Sequence, residues 1–302
     1  MNHFKGRTAV ITGAASGFGL ELSRIAAREG MHVVMADVQP DALANAHDEI
    51  ASLAHAHGSD ALAVRVNVAQ AADIDALAQA TDKRFGAPHL VVNNAGVGAG
   101  GLVWENTEAD WNWVLGVNVM GVVHGLRAFT PRMLAAAQKD PAYEGHIVNT
   151  ASMAGLLSPP TMGIYNASKH AVVAITETLH HDLSLVTDRI HASLLCPFFV
   201  PTGIRNSERN REDAAAALTR SQEVARAMTD KAVTSGKVTA AQVAQLVFDA
   251  VRARQFYVYS HPKALKSVQT RMEDIVMQRN PTDPYADKPE LREELKRLLR
   301  DA

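Results

Sequence analysis

Residues 8–19, Thr8-Ala9-Val10-Ile11-Thr12-Gly13-Ala14-Ala15-Ser16-Gly17-Phe18-Gly19, decide the fold of this chain. Thr8 to Thr12 is a short β-branched run that stops at a glycine, and the segment from Leu20 to Arg28 has apolar residues at helical spacing. A strand therefore turns straight into a helix. Gly13, Gly17 and Gly19 permit a tight turn, let the backbone come close to an anion, and let the helix pack on the strand. The helix N-terminus presents unpaired N–H groups to that anion.

A second strand, Met31 to Ala36, ends at Asp37, at about the distance beyond the glycines where an acidic residue meets the hydroxyls of an adenosine ribose. The stretch thus reads as a dinucleotide cradle, with Gly13, Ser16, Gly17, Phe18 and Gly19 at the pyrophosphate and Asp37 at the ribose. The Asp37 carboxylate repels a 2′-phosphate, and neither Ser16 nor Val38 supplies a cation to offset it. NAD is favoured over NADP.

Further along, strands near residues 61–67, 90–93, 146–151, 190–195 and 256–259 alternate with helical stretches near 40–56, 70–85, 108–138, 164–187 and 239–254. That alternation predicts an α/β fold, a Rossmann-type doubly wound parallel sheet flanked by helices, with ligands beyond the carboxyl ends of the strands. A chain of 302 residues, 47% hydrophobic, can bury a large core, and no linker divides it. One domain is expected, with a core over about 5–260 and a helical extension over about 262–302. The alanine run 214–217 reads as helix. With a net charge of −2 and no dense basic run, nothing points to nucleic acid or an anionic membrane. Cys196 is the single cysteine, which excludes an intrachain disulfide and fits a reducing cytoplasm. The first strand begins near Arg7, leaving no room for a signal peptide, and no apolar stretch is long enough to span a bilayer. The histidines show no metal-ligand spacing, so no metal is expected.

The second decisive stretch is Tyr165-Asn166-Ala167-Ser168-Lys169. A phenol can give or take a proton as a hydride moves to or from a carbinol carbon, but its ordinary pKa near ~10 is too high for efficient base catalysis at neutral pH. Lys169 lies one helical turn on, so its charge is expected to lower that pKa while its ammonium bonds the nicotinamide ribose. Ser152, upstream, is placed to hold and polarise the substrate oxygen.

Taken together, these motifs make the chain resemble the short-chain dehydrogenase/reductase family over roughly residues 5 to 260. Thr12 to Gly19 matches its TGxxxGxG, Asn93-Asn94-Ala95-Gly96 its NNAG, Asn118 its helix asparagine, Ser152 its catalytic serine and Tyr165 to Lys169 its YxxxK. The resemblance implies a catalytic set of Asn118, Ser152, Tyr165 and Lys169, with Asn118 anchoring a water that links Lys169 to solvent. It also implies that Asn67 and Val68 face the adenine, that Asn94, Ala95 and Gly96 line the adenosine ribose, and that Val200 and Thr202 bond the carboxamide in the loop opened by Pro197. It further implies a homodimer or homotetramer. Pro197-Phe198-Phe199-Val200-Pro201-Thr202 departs from the family's PGxVxT, because Phe198 replaces glycine.

Substrate information is confined to two segments. Phe198, Phe199 and Val200, with Met153, Leu156, Leu157, Pro159 and Met162 between the serine and the tyrosine, predict an apolar pocket; Met153, Met162 and Phe198 are the candidate substrate contacts. Trp104 either reaches the substrate or packs in the core or an interface, and Arg205 to Arg211 is a solvated loop or a contact for an acidic substrate. Beyond the family's usual end, Leu265, Val268, Met272, Ile275 and Val276 form one amphipathic face, and Leu291, Leu295, Leu298 and Leu299 a second, opened by Pro289. These faces pack on the parent domain, on another copy, or as a lid. The expected activity is NAD-dependent interconversion of a hydrophobic secondary alcohol, aromatic members included, and its ketone; the tail and the Phe-Phe pair resemble family members acting on bulky benzylic alcohols. Two alternatives stay open: reduction of a β-oxoacyl or polyketide-like ketone, and a non-catalytic nicotinamide-sensing binding protein.

Overall fold

The computed structural model describes residues 1, 3–211 and 217–300. Seven strands, β1 (Thr8–Thr12), β2 (His32–Asp37), β3 (Ala61–Arg65), β4 (Leu90–Asn93), β5 (Gly145–Thr150), β6 (Ile190–Cys196) and β7 (Tyr257–Tyr259), form one parallel sheet in the order β3-β2-β1-β4-β5-β6-β7. The order reverses between β1 and β4, which opens a crevice at their carboxyl ends.

Both faces of the sheet are covered, as a parallel sheet requires. On one face Ile11, Met35, Val92 and Val148 pack with Leu22 of α1 (Gly17–Arg28), Ile50 of α2 (Pro40–Ala56) and Phe248 of α8 (Ala240–Ala253). On the other, Val10, Val34, Val91 and Ile147 pack with Leu77 of α3 (Ala71–Phe85) and Phe129 and Met133 of α5 (Gly121–Lys139). Adjacent residues Val10 and Ile11 serve opposite faces, the period-two rule of a strand buried on both sides. Helix α6 (Gly163–Val186) closes the sheet beside β6, burying Val172 and Val173.

The expected element boundaries hold to within a residue or two, with one exception. The stretch read as a single helix over 108–138 is α4 (Glu108–Leu115), a π-helical turn over Gly116–Met120, and α5. Its interruption puts Asn118 in the one turn where the helical ladder widens, a common device at functional sites. The alanine run falls largely at 214–216, outside the described residues.

The extension is helical, as expected: α9 (Leu265–Val276) and α10 (Pro289–Arg300). Helix α10 lies on α7 (Arg220–Thr234) and buries Leu295. Leu265 and Val268 pack on the cluster of Val172 and Cys196, but Met272, Ile275 and Val276 stay exposed, Val276 by 80%. Only the first half of the α9 apolar face is therefore covered by the parent chain. Among the described residues no helix is long and apolar enough to cross a membrane.

Candidate active site

The glycine turn sits at the end of β1, where the sheet order reverses. Gly13 and Gly17 have φ of +64° and +54°, the left-handed region that a side chain disfavours. A Cβ on Gly19 would lie 2.0 Å from the Gly13 carbonyl oxygen, so the helix can start this close to the turn only with glycine there. Asp37, at the tip of β2, accepts the Ala15 N–H on Oδ2 at 3.0 Å and the Gln39 N–H on Oδ1 at 3.0 Å. The carboxylate thus holds the turn in place and keeps lone pairs for further donors.

At the end of β4, the Thr12 hydroxyl accepts the Asn94 and Ala95 N–H groups at 2.9 and 3.1 Å, and the Asn94 side chain donates to the Thr12 carbonyl at 2.9 Å. The two strand tips are laced together beside the turn. Space at Gly96 is bounded by Asn118 Oδ1 and Lys169 Nζ, 3.3 and 3.5 Å from where a Cβ would stand. Asn118 accepts the Val97 N–H at 2.8 Å and donates to the Val97 carbonyl and the Ser168 hydroxyl, each at 3.0 Å. Through the π turn it pins the β4 loop to α6. Val68 fits against Gly121, and the Asn67 carbonyl group of the side chain accepts the Ala69 N–H at 3.1 Å.

After β5, Ser152 caps a short 3-10 turn; its Oγ accepts the Ala154 N–H at 3.1 Å and donates to the Pro197 carbonyl at 3.4 Å. Tyr165 and Lys169 project from the first turns of α6, both buried, with Lys169 Nζ 5.7 Å from the centre of the phenol ring and 2.9 Å from the Thr150 carbonyl. Burial pushes the Tyr165 phenol up to about 12, against a smaller downward pull from the Ser152 hydroxyl, and takes the Lys169 ammonium down to about 8. The expectation that Lys169 lowers the phenol is not met. Desolvation penalises phenolate and ammonium alike, and it is the largest cause of both shifts.

Ser152 and Tyr165 open on one cleft, which Lys169, Asn118 and Asp37 do not line. Phe18, Ser152, Met153, Tyr165, Pro197, Phe198, Val200 and Thr202 all line it, as do Leu157, Pro159 and Met162. Thr202 also stands 3.3 Å from the Cβ position of Gly17, joining the loop after β6 to the glycine turn. Met153 contributes only an edge, being fully buried, and Leu156 turns into the core with Val172 and Val173. The glycine turn, the free side of Asp37 and the laced strand tips fit a dinucleotide.

Three features were not legible in the sequence. Trp113, not Trp104, lines the cleft; Trp104 is 76% exposed on a separate groove with Val103 and Pro160. Arg211 is not solvated but ion-paired to Asp110 at 2.6 Å, its guanidinium 5.4 Å from the Trp113 ring centre. Arg65 stands opposite Asp37 in the β2–β3 register and donates to the Val38 carbonyl at 3.4 Å, so a cation does reach the ribose end of the site. The apolar run Ala61 to Val64 before it gave no sign of it; only strand pairing does.

Comparison with known proteins agrees with this geometry. The family model for short chain dehydrogenases matches residues 7–213. A short-chain dehydrogenase/reductase from Burkholderia phymatum, solved in complex with NAD, is 52% identical, with a TM-score of 0.89 over 94% of this chain and 99% of that one. The CLA biosynthesis dehydrogenase/reductase of Lactiplantibacillus plantarum is 32% identical over 91% of this chain and 95% of its own length. The 1-deoxy-11-beta-hydroxypentalenate dehydrogenase of Streptomyces avermitilis is 35% identical over 90% of this chain and 89% of its own. With the turn, the laced strand tips, the serine and the buried tyrosine and lysine all in place, the chain belongs to the short-chain dehydrogenase/reductase family and is an oxidoreductase.

Proposed function

We propose that the protein uses NAD to interconvert a bulky hydrophobic secondary alcohol, aromatic alcohols included, and its ketone, with Ser152, Tyr165 and Lys169 as the proton relay. One observation carries this reading: Ser152 and Tyr165 share a cleft with the apolar side chains of Leu157, Pro159, Met162, Phe198 and Val233, while charged residues such as Asp110, Arg205, Glu208 and Arg226 line another part of it. A hydroxyl and a phenol set beside an apolar surface can orient a hydrophobic substrate by its oxygen. The hydroxypentalenate named for the Streptomyces relative supports a hydroxyl-bearing substrate.

A bound nicotinamide supplies or accepts the hydride. The Ser152 hydroxyl, held to the Pro197 carbonyl by only a long 3.4 Å bond, is available to donate to the substrate oxygen. Tyr165, protonated at neutral pH because burial holds its phenol high, delivers a proton to that oxygen in reduction and takes it back in oxidation. Lys169 stabilises the phenolate left behind and offers its remaining N–H donors to the ribose. Asp37 presents its carboxylate to the ribose hydroxyls and opposes a 2′-phosphate, while Arg65 partly offsets that repulsion.

A panel of secondary alcohols from small aliphatic to bulky aromatic, assayed with each cofactor, tests the reading. NAD is expected to win by at least ~10-fold in kcat/KM, about 1.4 kcal/mol, and bulky alcohols to outrun small ones. Asp37→Ser with Val38→Arg should move the preference toward NADP. A wild-type preference for NADP would overturn the cofactor assignment, and no turnover across the panel would restore the non-catalytic alternative.

A further inference from the structure

The residues after β7 reach back to the cleft. Strand β6 pairs with β7 up to Cys196 and Tyr259. The next donor along β6 is the Phe198 N–H. It is taken not by a backbone carbonyl but by the Ser260 hydroxyl, at 3.0 Å, from a serine only 8% exposed. Ser260 Oγ also lies 2.8 Å from His261 Nδ1.

His261 completes the grip. Its ring meets the Phe198 ring edge-on, centroids 5.9 Å apart at 71°, and Phe198 packs on Phe199 at 4.4 Å. On the other side of the same peptide unit, the Pro197 carbonyl accepts the Met153 N–H at 2.9 Å. The 197–198 peptide is therefore clamped between the Ser152 turn and Ser260. Such a clamp answers the departure at Phe198, where the family has glycine: a ring beside the reacting carbon is useful only if it is held still.

We propose that Ser260 and His261 are positioning residues that set substrate size, by fixing Phe198 as a wall of the cleft. Both lie outside residues 7–213, the span that the family model matches, so this determinant belongs to the chain's own C-terminal part. The inference rests on the cleft being the site for a bulky secondary alcohol.

The test compares Ser260→Ala, Ser260→Thr and His261→Ala with the wild type. Ser260→Ala and His261→Ala should lower the ratio of kcat/KM for a bulky aromatic alcohol over a small aliphatic one by about tenfold, mainly through KM for the bulky alcohol. KM for NAD should stay within about twofold. Ser260→Thr, which keeps the hydroxyl, should restore the ratio. A ratio unchanged in both alanine variants, or both substrates falling together in step with a lowered Tm, would overturn the proposal and leave Ser260 a structural residue. His261→Ala keeps the question open to measurement if Ser260→Ala fails to fold. Hydrogen exchange at the Phe198 amide is read alongside, because it does not depend on turnover. Faster exchange in Ser260→Ala supports the clamp, and unchanged protection refutes it even if the wild type oxidises none of the alcohols, a result that would sink the reading of the cleft instead.

Discussion

Tyr165 and Lys169 exchange their usual order of proton affinity. A free tyrosine and lysine titrate close together near ~10, whereas here burial holds the phenol at about 12 and the ammonium at about 8. The neutral tyrosine is the resting form and the stronger holder of its proton, which suits a donor to a carbonyl oxygen. Tyr165→Phe removes that proton and no cofactor contact, so kcat should fall at least ~10²-fold while NADH affinity, followed by fluorescence titration, stays close to wild type. Lys169→Ala should damage both, since its ammonium also faces the ribose side at Gly96. A Tyr165→Phe enzyme retaining more than about a hundredth of the wild-type rate would remove tyrosine from the proton transfer.

At the scale of elements, α4 and the segment after β6 form one side of the cleft through a shared carboxylate. Asp110 Oδ2 accepts the Thr107 N–H and hydroxyl, both at 2.8 Å, closing the capping box of α4, while Oδ1 takes Arg211 at 2.6 Å. Burial alone would raise the Asp110 carboxyl, but the Thr107 N–H and hydroxyl and the Arg211 guanidinium together hold it below its ordinary value. The two functions can be separated by substitution. Asp110→Asn keeps an acceptor for the cap and loses the charge, so KM for the alcohol should rise several-fold with little change in unfolding free energy. Asp110→Ala loses the cap as well and should cost a further ~1 kcal/mol in urea unfolding. Equal KM values for wild type and Asp110→Asn would show that the pair does not shape the cleft. The cap joins residues three apart, whereas Arg211 lies about a hundred residues away along the chain, a pairing that only the fold brings about.

For the molecule as a whole, the sheet core stores an acid sensitivity. His146, fully buried in β5, donates from Nε2 to the Ser193 hydroxyl at 2.7 Å, and that hydroxyl donates to the Gln255 carbonyl at 2.6 Å. The ring is therefore neutral, and burial, with the N-terminus, His191 and Arg254 adding to it, lowers its pKa to about 3; His89 is lowered to about 4, chiefly by burial. Because both folded values lie below the unfolded value near ~6.5, the unfolded chain binds more protons in between. Stability should thus be full above about pH 6.5 and decline as pH falls toward 4, by an amount on the order of a few kcal/mol. Urea midpoints at pH 7.5 and 5 check this, and His146→Gln should flatten the difference. An equal pH dependence in wild type and His146→Gln would place the sensitivity elsewhere.

Local spacing determined most of the secondary structure and the identity of the reacting groups. The strand-turn-helix at 8–28 follows from β-branching, glycine and apolar period, all set by residues within a turn or two of each other, and Tyr165 and Lys169 share a helix face because they are one turn apart. What only the tertiary structure decided are relations between distant residues: Trp113 rather than Trp104 at the cleft, Arg211 on Asp110, Arg65 beside Val38, and Ser260 on the Phe198 N–H. The direction of the Tyr165 shift belongs with them, since desolvation depends on what packs around a group in space, and the four-residue interval to Lys169 says nothing of that burial.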